Sequence, residues 1–127
     1  MMPTVEKVLF LKRVPLFSGV PTPELVRVAG IAEEVNFEPD VQIIEEGESG
    51  SSMFLIVEGE VLIHRGDQHL ATLNPQECFG EMSILDHEPR SASATALTDC
   101  LLLKVELRQR WVVQEVDLLG NRSQVIG

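Results

Sequence analysis

The segment Phe79-Gly80-Glu81-Met82-Ser83-Ile84-Leu85-Asp86-His87-Glu88-Pro89-Arg90-Ser91-Ala92-Ser93 collects the groups needed to hold an anion. Gly80 permits a close backbone approach or an unusual dihedral. Glu81 to Leu85 fit one short helical turn, whose open amides point beyond its N-terminus. Pro89 stiffens the return, and Arg90 is the loop's one arginine. A guanidinium beside exposed amide donors is a constellation that suits a phosphate. Glu81 does not favour that phosphate, but a carboxylate there makes sense as an acceptor from sugar hydroxyls. Two arrangements therefore fit the residue types: a ribose-phosphate cradle, and a Glu81–Arg90 surface ion pair on a connecting loop. Residue types alone favour the simpler ion pair.

Other chemistry is poorly supported. His64, His69 and His87 are isolated, without the His-x-His pairing of a metal site on facing strands, and read as solvated surface groups. No Gly-x-Ser-x-Gly motif marks a nucleophile. Glu33-Glu34 and Glu45-Glu46 are adjacent pairs, which on a strand point to opposite sides and cannot share a site. Cys78 and Cys100 lack metal-ligand spacing and are too few for a disulfide scaffold, so they read as reduced thiols in the cytoplasm.

The elements that must carry the loop follow from periodicity. Residues 1–33 read as helical: Val5, Val8, Leu9 and Leu11 form one short stretch that Pro15 interrupts. In Pro21-Thr22-Pro23-Glu24-Leu25, Thr22 is the expected N-cap and Pro23 the first helical residue. Leu25, Val28, Ala29 and Ala32 then share a face, and the helix is expected to end near Glu33. Residues 34–105 read as short strands. Val35 and Phe37, Val41 to Ile44, Met53 to Val57, Val61 to Ile63, His69 to Leu73, Ser91 to Leu97 and Cys100 to Val105 are separated by Gly, Pro, Asn or Asp. The continuous run Met53 to Val57 reads as buried strand. Residues 106–127 read as a C-terminal helix, with Leu107, Trp111, Val112, Val116 and Leu119 as its apolar stripe. Trp111 fits a core anchor and an interface residue equally well. The architecture expected is a mainly β, double-sheet, jelly-roll-like antiparallel roll with flanking helices, forming a single domain over 1–127.

Composition bounds the partners. The 127 residues are 44% hydrophobic, enough for one core without staples. No apolar run approaches the roughly 20 residues that span a bilayer. A formal net charge of −10 disfavours nucleic acid and anionic membranes, yet leaves room for a small anion held by local donors.

The run Phe-Gly-Glu-Met-Ser-Ile-Leu followed by Pro-Arg-Ser-Ala-Ser closely resembles the phosphate-binding cassette of the cyclic-nucleotide-binding domain family. That family includes catabolite activator protein, the regulatory subunits of protein kinase A and bacterial cyclic-nucleotide-gated channels. The likeness extends over Leu16 to Val105, through Ile44-Glu45-Glu46-Gly47-Glu48 and Met53-Phe54-Leu55-Ile56-Val57-Glu58-Gly59-Glu60-Val61. The resemblance implies a β-roll of about eight strands and a sensor rather than an enzyme. It implies that Arg90 pairs with the exocyclic oxygens of the cyclic phosphate and that Glu81 accepts from the ribose 2′-hydroxyl. Amides of Gly80, Ser83, Ser91 and Ala92 become supplementary donors, with Met82 and Ser93 also among the binding residues. Ile63 and Ala71 become the apolar wall beside the base.

Family habit puts threonine after the arginine in cyclic GMP binders and alanine in cyclic AMP binders. Ser91 stands there, and the reading leans to cyclic AMP. No prosthetic group is implied. Occupancy would be transmitted through the terminal helices to an effector domain outside the chain, and those helices offer a surface for a homodimer. Two departures stand out. The family usually has Asp or Asn near Ser52. The 22 residues from Glu106 to Gly127 are short for a helical lid over the base, which leaves open whether the chain is a fragment of a larger protein. They are too few for a helix-turn-helix, which disfavours a transcription factor. The competing reading is a degenerate roll used for assembly, against which the intact Gly80, Glu81 and Arg90 argue.

Overall fold

The computed structural model describes residues 1–81 and 88–106. Helix α1 spans Thr4–Leu11, a 3-10 turn spans Pro15–Phe17, and helix α2 spans Thr22–Ile31. The strands are β1 (Glu33–Phe37), β2 (Gln42–Ile44), β3 (Ser52–Glu58), β4 (Val61–Arg65), β5 (Gln68–Leu73), β6 (Cys78–Phe79), β7 (Ser93–Ala96) and β8 (Cys100–Glu106).

Prolines punctuate the helical third. Pro15 stops α1 from continuing and opens the 3-10 turn instead. At α2 the cap differs from expectation. Thr22 is the first helical residue and makes no capping bond, because the Pro21 carbonyl already accepts the first helical amide, from Leu25 at 3.1 Å. Pro21, held at φ −60°, ψ 148°, takes the cap position. Helix α2 also ends sooner than expected. Ala32 is already extended, and Glu33 begins the first strand.

The strands form two four-stranded antiparallel sheets, ordered β1-β8-β3-β6 and β2-β7-β4-β5. The first sheet lies between the helices and the second sheet, which explains the unbroken apolar run of β3. Met53 and Leu55 face a core built with Leu11, Leu16, Phe17, Leu25 and Val28. Phe54 and Ile56 face a second core with Ile44, Val61, Ile63, Phe79 and Ala94. Strand β8 divides the same way, with Leu103 and Val105 toward the helices and Leu102 toward the second sheet. A strand covered on both faces has no polar side to show, so its sequence loses the usual alternation.

The expected short helix within the cassette and the expected C-terminal helix, with Trp111, lie outside the described residues. No helix among the described residues is long and apolar enough to cross a membrane.

Candidate functional site

The site starts where β6 leaves the first sheet. Phe79 pairs with Phe54 across β3, and their rings stack at 5.3 Å between centroids. The next residue, Gly80, has φ +97°, a conformation L side chains rarely adopt. A Cβ there would also lie 2.9 Å from Arg90 Nη1 and 3.0 Å from the Ser52 carbonyl oxygen. Both demands require glycine. The chain then places Glu81 in the interior, with no exposed surface.

Arg90 returns to the same place. Its side chain is 4% exposed. Nη1 donates to the Gly80 carbonyl, and Nη2 donates to the Ser52 carbonyl at 2.8 Å. The two carbonyls come from different segments, so the guanidinium ties the start of β3 to the end of β6. A flat fork with five fixed donors makes this bridge and still keeps N–H groups for a further acceptor. Burial lowers the Arg90 pKa from its ordinary value, and the nearby carboxylates Glu48, Glu106 and Glu81 oppose that shift. The surface ion pair that residue types favoured is therefore corrected, because Glu81 and Arg90 are both buried.

The return arm of the cassette is held by the segment before β3. Gly47 N–H donates to the Arg90 carbonyl, and Arg90 N–H donates to the Glu48 carbonyl, each at 2.9 Å. Glu46 N–H donates to Ser93 Oγ at 2.9 Å. On the other side, exposed Arg65 donates Nε–H to the Ser91 carbonyl at 2.8 Å. Ala92 and Ser93 are buried, while Ser91 is exposed.

Ile63 and Ala71 face one another directly across β4 and β5. Ile63 is fully buried in the second core, and half-buried Ala71 packs against it. The structure thus brings Gly80, Glu81, Arg90, Ala92 and Ser93 into one buried neighbourhood, with Ser91 at its surface and Ile63 and Ala71 in the adjoining core. Met82 and Ser83 lie outside the described residues.

Sequence reading missed two contributors. Gly50 lies against the guanidinium so closely that a Cβ would overlap Nη2, Cζ and Nε. Ser52 contributes its main-chain carbonyl, which no side-chain pattern signals. The only available hint was the Gly and Ser content of residues 47–52. The histidine reading needs correction at His64 alone; His69 is exposed as expected, and His87 lies outside the described residues. His64 is half-buried, with Nδ1 2.8 Å from the Gly66 carbonyl and Nε2 2.8 Å from Thr95 Oγ1. His69 is exposed, and its Nε2 lies 3.1 Å from Thr72 Oγ1. Among the described residues no cluster of His, Cys, Asp or Glu is arranged to hold a metal.

A double-sheet roll with helices on one face, and a buried arginine gripped between two of its strands, defines a known class. The chain belongs to the cyclic nucleotide-binding domain family, whose sequence model matches residues 34–111. It is 34% identical to a CRP-like cAMP-activated global transcriptional regulator of Mycobacterium tuberculosis, over 91% of this chain and 55% of that protein. In structure it is similar to the regulatory domain of Toxoplasma gondii PKA crystallised with cAMP. That match has a TM-score of 0.84 and 23% identity, covering 94% of this chain and 49% of the other. It is equally similar, at TM-score 0.84 and 26% identity, to the regulatory subunit of a cAMP-independent protein kinase A from Trypanosoma brucei. There the match covers 95% of this chain and 47% of the other. The chain spans between a fifth and just over half the length of the curated relatives it matches. The relatives described are regulators by name.

Proposed function

We propose that this chain binds a cyclic nucleotide, cyclic AMP in preference to cyclic GMP, and works as the sensing part of a regulatory protein. The observation that carries the reading is the buried Arg90 guanidinium, cradled by Gly50, Gly80 and Ser52 beside buried Glu81. Taking a cation and a carboxylate out of water costs several kcal/mol each before pairing. A connecting loop has no structural need for both, whereas a ribose phosphate uses each once. On this reading Arg90 meets the phosphate oxygens, Glu81 accepts from the ribose hydroxyl, and Gly80, Met82, Ser83, Ser91, Ala92 and Ser93 complete the cassette. Ile63 and Ala71 line the base.

The fold alone does not choose a ligand, since it is shared with proteins described as bound to cAMP and as cAMP-independent. The preference for cyclic AMP rests on Ser91, which has a hydroxyl but no threonine methyl, and on the cAMP-activated relative. Both cysteines are free and buried, which fits a reducing cytoplasmic setting.

Ligand can bias the terminal helices only if it binds one of their arrangements better than another. The first sheet offers the route, because β3 and β8 carry side chains into the site's core and into the helical core at once. An effector domain outside the chain, or a second copy docked through the terminal helices, would read the change.

Calorimetric titration of the 127-residue chain with cyclic AMP and cyclic GMP, with Arg90→Ala as control, tests the proposal. One-to-one binding of cyclic AMP, tighter than of cyclic GMP and lost in the variant, is the expected result. Absence of heat with both nucleotides from folded protein would favour an assembly module instead.

A further inference from the structure

We infer that Arg65, at the tip of the β4–β5 hairpin, is a positioning residue for the cassette: it sets the orientation of the Ser91–Ala92 peptide that would face the ligand. The inference rests on the cyclic-nucleotide reading and adds to it a residue outside the cassette.

The β4–β7 ladder runs Val61↔Ala96, Leu62↔Thr95, Ile63↔Ala94 and His64↔Ser93, and stops there. Continued by one residue, Arg65 would stand opposite Ala92. The main chain bends at Ser91 and Ala92 before it enters β7, so ladder pairing cannot continue. Arg65 replaces the missing rung with its side chain, donating Nε–H to the Ser91 carbonyl at 2.8 Å. In a trans peptide the carbonyl and the next amide point to opposite sides. With the Ser91 carbonyl turned outward to exposed Arg65, the Ala92 N–H is directed inward, where Ala92 itself is 1% exposed.

The neighbouring groups are already fixed from the other flank. Residues 46–48 hold the Arg90 main chain and Ser93 Oγ. Arg65 is the bond that fixes the peptide lying between them. The same strand delivers Ile63, two residues earlier, into the core beside Ala71. One short strand therefore sets the proposed base wall and one proposed phosphate donor together.

The test compares wild type, Arg65→Ala and Arg65→Lys as full chains in three measurements: cyclic AMP affinity by calorimetry, Tm, and amide NMR of Ser91 to Ser93 without ligand. Arg65→Ala should weaken binding about three- to tenfold, the loss expected for one exposed hydrogen bond. Tm should hold, and the Ala92 amide should shift and exchange faster with solvent. Arg65→Lys, which keeps a donor on a long stem, should restore part of the affinity. Unchanged affinity and an unchanged Ala92 amide in Arg65→Ala would overturn the positioning role. So would a matching fall in Tm and affinity that lysine does not rescue, since Arg65 would then serve the fold. Wild type that binds neither cyclic nucleotide would instead sink the functional reading itself, and this inference with it.

Discussion

Arg90 and Ser52 are 38 positions apart, yet a buried guanidinium N–H of one meets the main-chain carbonyl of the other at 2.8 Å. The contact exists because β3 pairs with β6 at Phe54↔Phe79, which brings residue 80 opposite residue 53 and so beside the Ser52 carbonyl. The arginine is thus oriented by the sheet before any ligand arrives, and pre-orientation lowers the ordering cost of binding.

Replacing Arg90 by alanine should weaken cyclic AMP binding by about 3 kcal/mol or more, because a desolvated phosphate would lose its counter-charge. Arg90→Lys should fall between, since one ammonium cannot reach the Gly80 and Ser52 carbonyls and a phosphate together. Calorimetry on the three proteins gives the order, and equal affinities would remove Arg90 from the site.

Gly50→Ala is the sharper probe of the cradle. Its methyl would occupy the space of the guanidinium, which is pinned at Gly80 and Ser52 and has little room to yield. The expected outcome is a loss of affinity of at least about tenfold, or 1.4 kcal/mol. Tm should move by only a few degrees, because the position lies outside the strands. Wild-type affinity in this variant would mean that the guanidinium moves away on binding.

Glu81 is expected to read the sugar. Wild type should prefer cyclic AMP over its 2′-deoxy analogue by about 1.5–3 kcal/mol, the range for a hydrogen bond to a charged group. In Glu81→Gln the preference should shrink, with affinity for the deoxy analogue nearly unchanged. Competition titrations of both ligands against both proteins decide it. A preference that survives intact would place the ribose elsewhere.

Cys78 gives a prediction about pH. Burial, then the charges of Glu81 and Glu77, push its thiol pKa well above the ordinary 9.0. The folded chain therefore keeps this proton where the unfolded chain has released it. The corresponding stability is complete below pH 9 and declines as pH rises past the unfolded thiol's pKa, at up to about 1.4 kcal/mol per pH unit. Urea unfolding of wild type and Cys78→Ala between pH 8 and 10.5 should show the extra decline in wild type alone. Parallel curves would mean the thiol ionises in the folded state.

The sequence made legible whatever is local. Gly80, Glu81 and Arg90 stand within eleven residues, and their types name their chemistry. The roll could be read from short runs separated by turn residues. Gly50 and Ser52 stayed hidden because their parts depend on register between strands distant in sequence, and because Ser52 acts through a carbonyl every residue has. His64 was misread as solvated for a similar reason. Its partner Thr95 lies across the β4–β7 ladder, and nothing near residue 64 announces it. Thr22 failed as a cap because the helix starts one residue earlier, with the Pro21 carbonyl accepting its first amide.

The two-faced packing of β3 and β8 means that neighbouring residues answer to different tenants. Positions 54, 56 and 102 border the compartment of the site, while 53, 55, 103 and 105 border the one that seats the helices. On the proposed reading, substitutions of one parity would act first on recognition of the ligand and those of the other first on the seating of the helices, although both lie along a single stretch of chain.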